Sequence, residues 1–320
     1  MGFIELTQQT QQAQQTQYAL MIIDAHSHYM PPEVAKNTAF FKVNWSDIDR
    51  QLAVMDANNI EKALLLYPTS DAHLNMGGWQ DLCYVYNKKI AAVVSKHKGR
   101  FIGGGIIPAD TPAQFPAELK RIQDLGLRVI SLASSYEGKY LDDEIFSPVY
   151  EFAQKNNMPV HVHAQIMNPI GEERVRDPLL TPVLEYVFDV SVCIGKMMMA
   201  GTFLKFPEVK FIFAHYGGVL PLVKERFDTT YAMLRRREFV RDLSKPPSAY
   251  FKNLYFDTSG SKSPASLACA LELTDAAHIL FGSDFPANEN IPEAVACVRQ
   301  ASISEEDKRA ILHNDLLKGL

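Results

Sequence analysis

The most constraining feature of this 320-residue sequence is a regular alternation of short apolar runs with longer helical patterns. Several of the runs are apolar throughout, which is typical of strands that helices cover on both faces. Predicted strands span 20–24, 62–66, 101–107, 127–132, 160–163, 210–214, 253–257 and 278–281. Predicted helices span 46–58, 84–98, 112–125, 146–157, 180–206, 220–239, 264–273, 292–301 and 304–317.

Strands that alternate with helices indicate βαβ units and therefore a parallel sheet. Eight strands, each followed by a helix, match an α/β protein of the (β/α)8 TIM-barrel type in both count and length. A doubly wound open sheet is the alternative fold, but no GxGxxG segment follows the first predicted strand. The sequence therefore predicts a closed barrel.

The N-terminal residues differ in composition from the rest of the chain. Residues 8–17 read QQTQQAQQTQ, a polar tract that cannot bury enough surface to offset the entropy of ordering it. We therefore expect residues 1–20 to form a flexible glutamine-rich tail and residues 21–320 to form one barrel domain. Met21 is a candidate alternative start, because the first predicted strand begins beside it.

Composition excludes several classes of partner. The chain has 32 basic and 37 acidic residues and a formal charge of −5, so nucleic acid is not an expected partner. No apolar stretch reaches the ~18 residues of a membrane span, and no signal peptide is apparent. The four cysteines are far apart and form no CxxC pair, which favours reduced thiols and a cytoplasmic location.

Residues with metal-binding and acid–base chemistry cluster at the ends of four predicted strands. His26 and His28 follow the first, His163 ends the fifth, His215 follows the sixth and Asp284 follows the eighth. The carboxyl ends of barrel strands converge on one axis, where the active sites of such barrels form. Residues two apart in extended backbone point the same way, so the HxH pair can face one ion.

Imidazoles together with a carboxylate provide nitrogen and oxygen ligands, a set that suits zinc and other divalent transition metals. Such a centre can activate water or polarise a substrate oxygen. His161 has the same parity as His163, but it lies deeper in the strand, so we expect it to be a hydrogen-bonded neighbour and not a ligand. The remaining histidines are expected to be structural or surface residues.

Five segments resemble the amidohydrolase superfamily, in the amidohydrolase-2 branch that contains aminocarboxymuconate semialdehyde decarboxylase and γ-resorcylate decarboxylase. They are IIDAHSH (22–28), PVHVHA (159–164), GTFLKFPEVKFIFAHYGG (201–218), NLYFDTSG (253–260) and ILFGSDFP (279–286). The resemblance implies that His26, His28 and His163 are metal ligands. It implies that Asp284 ligates or approaches the metal and handles protons, and that His215 is catalytic. Related enzymes are commonly dimers or tetramers, so a homodimer or homotetramer is implied.

The resemblance also bears on the metal count. Many binuclear members bridge two metals with a carboxylated lysine at the end of the fourth strand. The fourth predicted strand of this chain ends without Lys or Glu, so one divalent ion per chain is predicted. Zinc is the expected ion, with manganese as the alternative.

The leading functional hypothesis is a metal-dependent, oxygen-independent decarboxylase of an aromatic or unsaturated carboxylic acid. Arg174 and Arg176, after the fifth predicted strand, could pair with a second anionic group of the substrate or could be solvated surface charges. The alternative is a metal-dependent hydrolase of a lactone, ester or amide, or a hydratase of an unsaturated acid. A third hypothesis is a non-enzymatic scaffold or sensor.

Overall fold

Eight short parallel strands stand side by side in chain order in this computed structural model, which describes residues 21–41, 43–171, 173–174 and 177–320. The strands are β1 (Ile22–His28), β2 (Ile60–Leu66), β3 (Phe101–Gly105), β4 (Val129–Ala133), β5 (Val160–His163), β6 (Phe211–Phe213), β7 (Tyr255–Asp257) and β8 (Ile279–Leu280). The predicted (β/α)8 barrel is confirmed. The predicted tail, residues 1–20, lies outside the described residues.

A helix packs outside the barrel after each strand. The main helices are α1 (Ile48–Ala57), α2 (Trp79–Lys96), α3 (Phe115–Asp124), α4 (Ser147–Asn156), α5 (Tyr186–Ala200), α6 (Leu220–Arg235), α7 (Pro264–Leu271), α8 (Ile291–Arg299) and α9 (Glu305–Leu312). Shorter helices span Pro32–Ala35, Ala72–Asn75, Thr202–Lys205, Ser248–Phe251 and Asp315–Lys318, and a small hairpin joins Ser135–Tyr136 to Lys139–Tyr140. Among the described residues, no helix has the length and apolar character needed to cross a membrane.

Two predicted helices are interrupted in the structure. The predicted helix 180–206 breaks at Gly201, whose φ of 84° ends α5 in the left-handed region that glycine adopts without steric cost. The predicted helix 304–317 breaks before Asn314, whose side chain accepts a hydrogen bond from the backbone of Leu316 and starts a new helix. The apolar residues keep helical spacing on both sides of each break, but Gly201 and Asn314 end one helix and start another.

The first and last strands close the barrel through residues just beyond β8. The backbone N–H groups of Ala25 and His28 donate to the carbonyls of Phe281 and Phe285, each at 2.7 Å. In the opposite direction, Asp284 N–H donates to His26 O at 2.8 Å. Because Asp284 takes part in closure, its position relative to β1 is set by the backbone.

An apolar layer fills the barrel interior below the carboxyl ends of the strands. It consists of buried aliphatic side chains from six strands and one C-terminal residue: Ile23, Ala25, Leu64, Leu66, Ile102, Val129, Ile212, Leu280 and Leu317. A larger core lies between the strands and the helices. At Gly103, a β-carbon would come within 2.4 Å of Leu127 and 2.9 Å of Ile90 on α2, so the helical layer approaches this strand closely only because the side chain is absent.

Candidate metal centre and proton-handling site

A bulge in β1 directs the HxH pair into the barrel. The predicted first strand ended at Asp24 and left the HxH pair beyond it, which is wrong, because β1 continues to His28. Asp24 pairs with Ala63 and Ser27 pairs with Leu65, so β1 carries one extra residue between the two pairs. A bulge of this kind changes which side chains face the interior. Ala25 belongs to the interior apolar layer, and His26 and His28 then reach the polar site.

The structure brings together four predicted site residues at the mouth of the barrel, the end where the strands terminate. Donor atoms of His26, His28, His163 and Asp284 all lie within 4.8 Å of one another. The Nε2 atoms of His26 and His28 are 3.0 Å apart. Asp284 Oδ1 lies 3.2 Å from His28 Nε2 and 3.5 Å from His26 Nε2. The three imidazoles are buried and the Asp284 side chain is 18% exposed, so the cluster has one side open to a ligand.

Two of the three imidazoles in this cluster have on Nδ1 the hydrogen-bond acceptor that metal ligation through Nε2 requires. His26 Nδ1 faces Asp257 Oδ2 at 2.9 Å, and His163 Nδ1 faces the carbonyl of Ala164 at 2.9 Å. An acceptor on one ring nitrogen holds the proton there and leaves the other nitrogen as a lone-pair donor. His26 Nε2 lies 3.0 Å from His28 Nε2, a separation at which both nitrogens can bind one cation.

The donor set therefore fits a divalent metal site. Ligands at ~2.1 Å from one ion lie roughly 3 Å apart, which is close to the separations between these atoms. Three imidazole nitrogens and a carboxylate oxygen suit zinc, manganese and related ions. His28 Nδ1 is buried and has no hydrogen-bond partner among the described residues.

A second network surrounds Asp257, at the end of β7. His26 Nδ1 and His161 Nε2 both lie 2.9 Å from Asp257 Oδ2. The backbone N–H groups of His215 and Ser259 donate to Asp257 Oδ1, each at 3.1 Å. The Ser259 hydroxyl also donates to Oδ1, so one carboxylate is bonded to groups from β1, β5 and the segments after β6 and β7.

Charges within the site set its protonation. Burial opposes the charge on His26, but the charge and hydrogen bond of Asp257, together with the charges of Asp284 and Asp24, outweigh burial and raise the pKa of His26 to about 9. Burial lowers the pKa of His161 to about 4 despite its bond to Asp257. Burial would raise the pKa of Asp284, yet the hydrogen bond from His28 and the nearby imidazoles hold that pKa below its ordinary value.

Two predicted catalytic residues occupy strained backbone. His215 has a φ of 56° and Asp284 a φ of 61°, in the left-handed region that favours glycine. Tyr216, after His215, is also left-handed, with a φ of 57°. Gly218 completes this turn, where a β-carbon would lie 2.0 Å from the carbonyl oxygen of Val187. Strained residues of this type persist where the surrounding structure holds them, and they concentrate at functional sites.

Comparison with known proteins places this architecture in a family. A family model described as "Amidohydrolase" matches residues 23–314. The chain belongs to this amidohydrolase family. The predicted resemblance is therefore confirmed, and the match covers β1 from Ile23 onward, the other seven strands and every member of the four-residue cluster.

Individual relatives of this amidohydrolase are decarboxylases. The chain is 27% identical over 313 residues to a γ-resorcylate decarboxylase of Polaromonas sp. (strain JS666), covering 90% of this chain and 95% of the relative. The 5-carboxyvanillate decarboxylase LigW from Sphingomonas paucimobilis superposes with a TM-score of 0.82 at 22% identity, covering 92% of this chain and 97% of that one. A 5-carboxyvanillate decarboxylase from Novosphingobium aromaticivorans with bound manganese gives 0.78 at 20% identity, covering 94% and 96%.

The remaining predicted site residues have different positions. His161 lies next to the cluster as a hydrogen-bond partner of Asp257 and is outside the four-residue set. Arg174 is exposed in the segment after β5. Arg176 lies outside the described residues.

Sequence reasoning missed Asp257 and Ser259 as site residues. Asp257 ends β7, so the rule that located the other residues at strand ends would also have selected it. Both residues lie in the NLYFDTSG segment, which contributed only to the family resemblance.

Proposed function

We propose that this amidohydrolase is a metal-dependent, oxygen-independent decarboxylase of an aromatic or unsaturated carboxylic acid. The observation that carries this proposal is the convergence of three imidazoles and a carboxylate on one point at the barrel mouth. His26, His28, His163 and Asp284 would hold one divalent ion. The decarboxylases among its relatives support the choice of reaction.

The bound ion would supply Lewis-acid polarisation of the substrate carboxylate and of an adjacent hydroxyl or carbonyl oxygen. We propose zinc, because nitrogen-rich ligation suits it, with manganese as the alternative that the Novosphingobium structure suggests. Metal analysis of protein purified without added metal would identify the ion and its stoichiometry, for which we propose one per chain.

Asp284 is the proposed proton donor. Its backbone is fixed by the bond to His26 O, and its partly exposed carboxylate faces the open side of the cluster. Because its pKa is lowered, Asp284 must first acquire a proton, and His215 is the proposed neighbouring relay, which would take up a proton and pass it to Asp284. Transfer of that proton forms a C–H bond at the carbon that carries the carboxylate. The C–C bond then breaks, CO2 leaves and the electron pair returns to the conjugated system. General acid catalysis of this kind contributes roughly 10²–10⁴-fold.

A cavity whose lining includes the segment just after β5 would hold the rest of the substrate. Its volume is about 120 Å³, and its walls include Trp79, Tyr136 and Gln165. Gln165 follows His163 by two residues, which links this wall to the cluster along the chain, although none of the four cluster residues lines the cavity. Aromatic side chains favour a planar, unsaturated substrate. Arg174 and Arg176 would pair with a second anionic group of the substrate.

Turnover products test the reaction class. Metal-loaded protein would be incubated with a panel of hydroxybenzoic and unsaturated carboxylic acids in D2O or in H2¹⁸O. Decarboxylation predicts CO2 release and one solvent deuterium on the product carbon, without ¹⁸O in the organic product. Incorporation of ¹⁸O without CO2 would indicate hydrolysis or hydration instead. Absence of turnover across the panel would support the scaffold hypothesis.

An Asp284→Asn variant tests the proton donor in the same assay. It should abolish CO2 release while the circular-dichroism spectrum stays unchanged. Asp275→Asn is the matched control, because Asp275 is an exposed carboxylate that pairs with His278. Equal loss in both variants would contradict the assignment of Asp284.

Assembly and location are also part of the proposal. We propose a homodimer or homotetramer, because exposed apolar side chains collect before and within the start of α5, at Leu179, Leu180, Val183, Leu184 and Phe188. Light scattering of the purified protein would measure the assembly.

We propose a cytoplasmic location, which the four unpaired cysteine thiols support.

A further inference from the structure

Ser259 stands between the metal cluster and the proposed catalytic imidazole. Its buried hydroxyl oxygen lies 2.8 Å from His215 Nδ1 and 2.9 Å from His26 Nδ1, and it also contacts Asp257 Oδ1. A serine hydroxyl has a single hydrogen, so it can donate to only one of these three groups. The direction of that donation determines which imidazole nitrogens carry protons.

The geometry around Asp257 determines the direction. Asp257 Oδ1 already accepts the backbone N–H groups of His215 and Ser259, so this oxygen is an acceptor. The Ser259 hydrogen must therefore point to Asp257 Oδ1. The serine oxygen then presents only lone pairs to the nearby ring nitrogens, and His215 Nδ1 must carry a hydrogen to be stable at 2.8 Å.

We infer that Ser259, oriented by Asp257, is a positioning residue that keeps the His215 proton on Nδ1 and leaves Nε2 as the proton-accepting atom. A neutral imidazole has one N–H, so fixing it on Nδ1 frees Nε2. The inference rests on the proposed function only in giving His215 a part in turnover. The Ser259 hydroxyl bridges the Asp257 carboxylate and the His215 ring through two hydrogen bonds.

The same carboxylate connects the two halves of the site. Asp257 Oδ2 bonds the Nδ1 of the proposed ligand His26, and Oδ1 acts on His215 through Ser259 and through the backbone. Gly260 leaves room for the His215 ring, because a β-carbon there would lie 2.8 Å from His215 Nδ1. Gly260 also has a φ of 79°, so this close approach requires glycine for two reasons.

Nuclear magnetic resonance of the zinc-loaded protein without substrate tests the tautomer directly. Long-range ¹H–¹⁵N correlations distinguish a protonated from an unprotonated ring nitrogen, and the His215→Gln variant assigns the His215 signals by their loss. Wild-type protein should show Nδ1 protonated and Nε2 unprotonated. Ser259→Ala should shift His215 towards the Nε2-protonated form, and Ser259→Thr, which keeps the hydroxyl, should restore the wild-type pattern.

Kinetics test whether the effect acts through His215. Ser259→Ala should lower kcat by roughly 10–100-fold, the usual effect of removing a hydrogen-bonded support, with KM nearly unchanged and the bound zinc retained. The double variant Ser259→Ala/His215→Gln should be no slower than His215→Gln alone, because the serine would have nothing left to position. Ser261→Ala, which removes a hydroxyl bonded to Ser266, is the control and should leave kcat unchanged.

Any one of the following results would overturn the inference. They are a wild-type His215 protonated on Nε2, an unchanged tautomer in Ser259→Ala, and additive losses in the double variant. Loss of zinc from Ser259→Ala would also overturn it, since the residue would then act through His26. If no acid is turned over by wild-type protein, the proposed function fails, but the resonance measurement still decides the tautomer.

Discussion

The two ends of this barrel use left-handed backbone in opposite ways. At the base, where helices lead into strands, the left-handed residues before β2, β3, β4 and β5 are Asn59, Gly99, Gly126 and Asn157. At the mouth, the non-glycine residues in this conformation are Thr69, Glu137, His215, Tyr216 and Asp284. Glycine and asparagine adopt it at little cost, whereas larger or branched side chains do not. Most left-handed residues at the base suit that backbone, with Glu238 after α6 as an exception, and the mouth keeps residues for their side chains.

The barrel interior also differs between the base and the mouth. Below the site, aliphatic side chains fill the barrel, and Leu317 from the C-terminal helix is fully buried among them. Above that layer, buried imidazoles and carboxylates depend on one another for hydrogen bonds. Substitutions at the mouth should therefore change chemistry more than stability, and those at the base should do the reverse.

The largest effect is expected from a proposed metal ligand at the mouth. His163→Ala should release the bound metal and lower activity by more than about 100-fold, because loss of even an outer hydrogen-bond partner of a metal site costs 10–100-fold. Metal content and CO2 release would be measured on the same sample. His278→Ala, which removes a partly exposed imidazole paired with Asp275, should change neither. If His161→Ala empties the site and His163→Ala does not, the assignment within β5 is wrong.

A substitution at the base of the barrel should lower stability and leave activity nearly unchanged. Leu317→Ala should lower the free energy of unfolding by about 2–4 kcal/mol, because it opens a cavity in the apolar layer. Activity per folded molecule should stay near the wild-type value, since Leu317 lies among aliphatic side chains and is not a member of the four-residue cluster. Urea denaturation and steady-state kinetics would separate the two effects. Leu204→Ala, at an exposed leucine, is the control and should change little. A loss of activity that exceeds the unfolded fraction would contradict the claim that base residues determine stability and mouth residues determine chemistry.

Sequence patterns were sufficient for the base of the barrel, because apolar runs depend on local residue order. All eight strands follow from such runs. The end of β1 could not be predicted, since the bulge depends on pairing with β2. Histidines and Asp284 at predicted strand ends do meet at the mouth. The contacts of Asp257 and Ser259 with His26 join residues more than 230 positions apart, and hydrogen bonds over that separation leave no periodic signal in the sequence.

A third test concerns the pH dependence of stability at the mouth. Asp189 on α5 bonds Ser134 and Tyr140, but burial raises its pKa more than these hydrogen bonds lower it. The folded protein therefore binds this proton more tightly than the unfolded chain does. The resulting stabilisation is present below the unfolded pKa of about 4, and it is lost as the pH rises through the folded pKa.

Comparison with Asp189→Asn isolates this contribution. The free energy of unfolding of wild-type protein should fall relative to that of the variant as the pH rises above about 4. Urea denaturation at a series of pH values measures it, and Asp110→Asn, at an exposed carboxylate, is the control. A wild-type protein that gains stability over Asp189→Asn with rising pH would show that the hydrogen bonds outweigh burial.

The smallest expected effects come from exchanging residue types between the two ends. Glu137 is exposed at the turn of the hairpin, with a φ of 50°, and its neighbour Gly138 is also left-handed. Two-residue turns of this form favour asparagine at the first position, so Glu137→Asn should stabilise the protein by about 0.5–1 kcal/mol. Asn157→Glu makes the reverse exchange at the base and should destabilise by about 1 kcal/mol. Urea denaturation of both variants measures the pair. If the two changes have the same sign, backbone conformation does not govern residue choice at these turns, and the contrast between base and mouth has to rest on side-chain contacts alone.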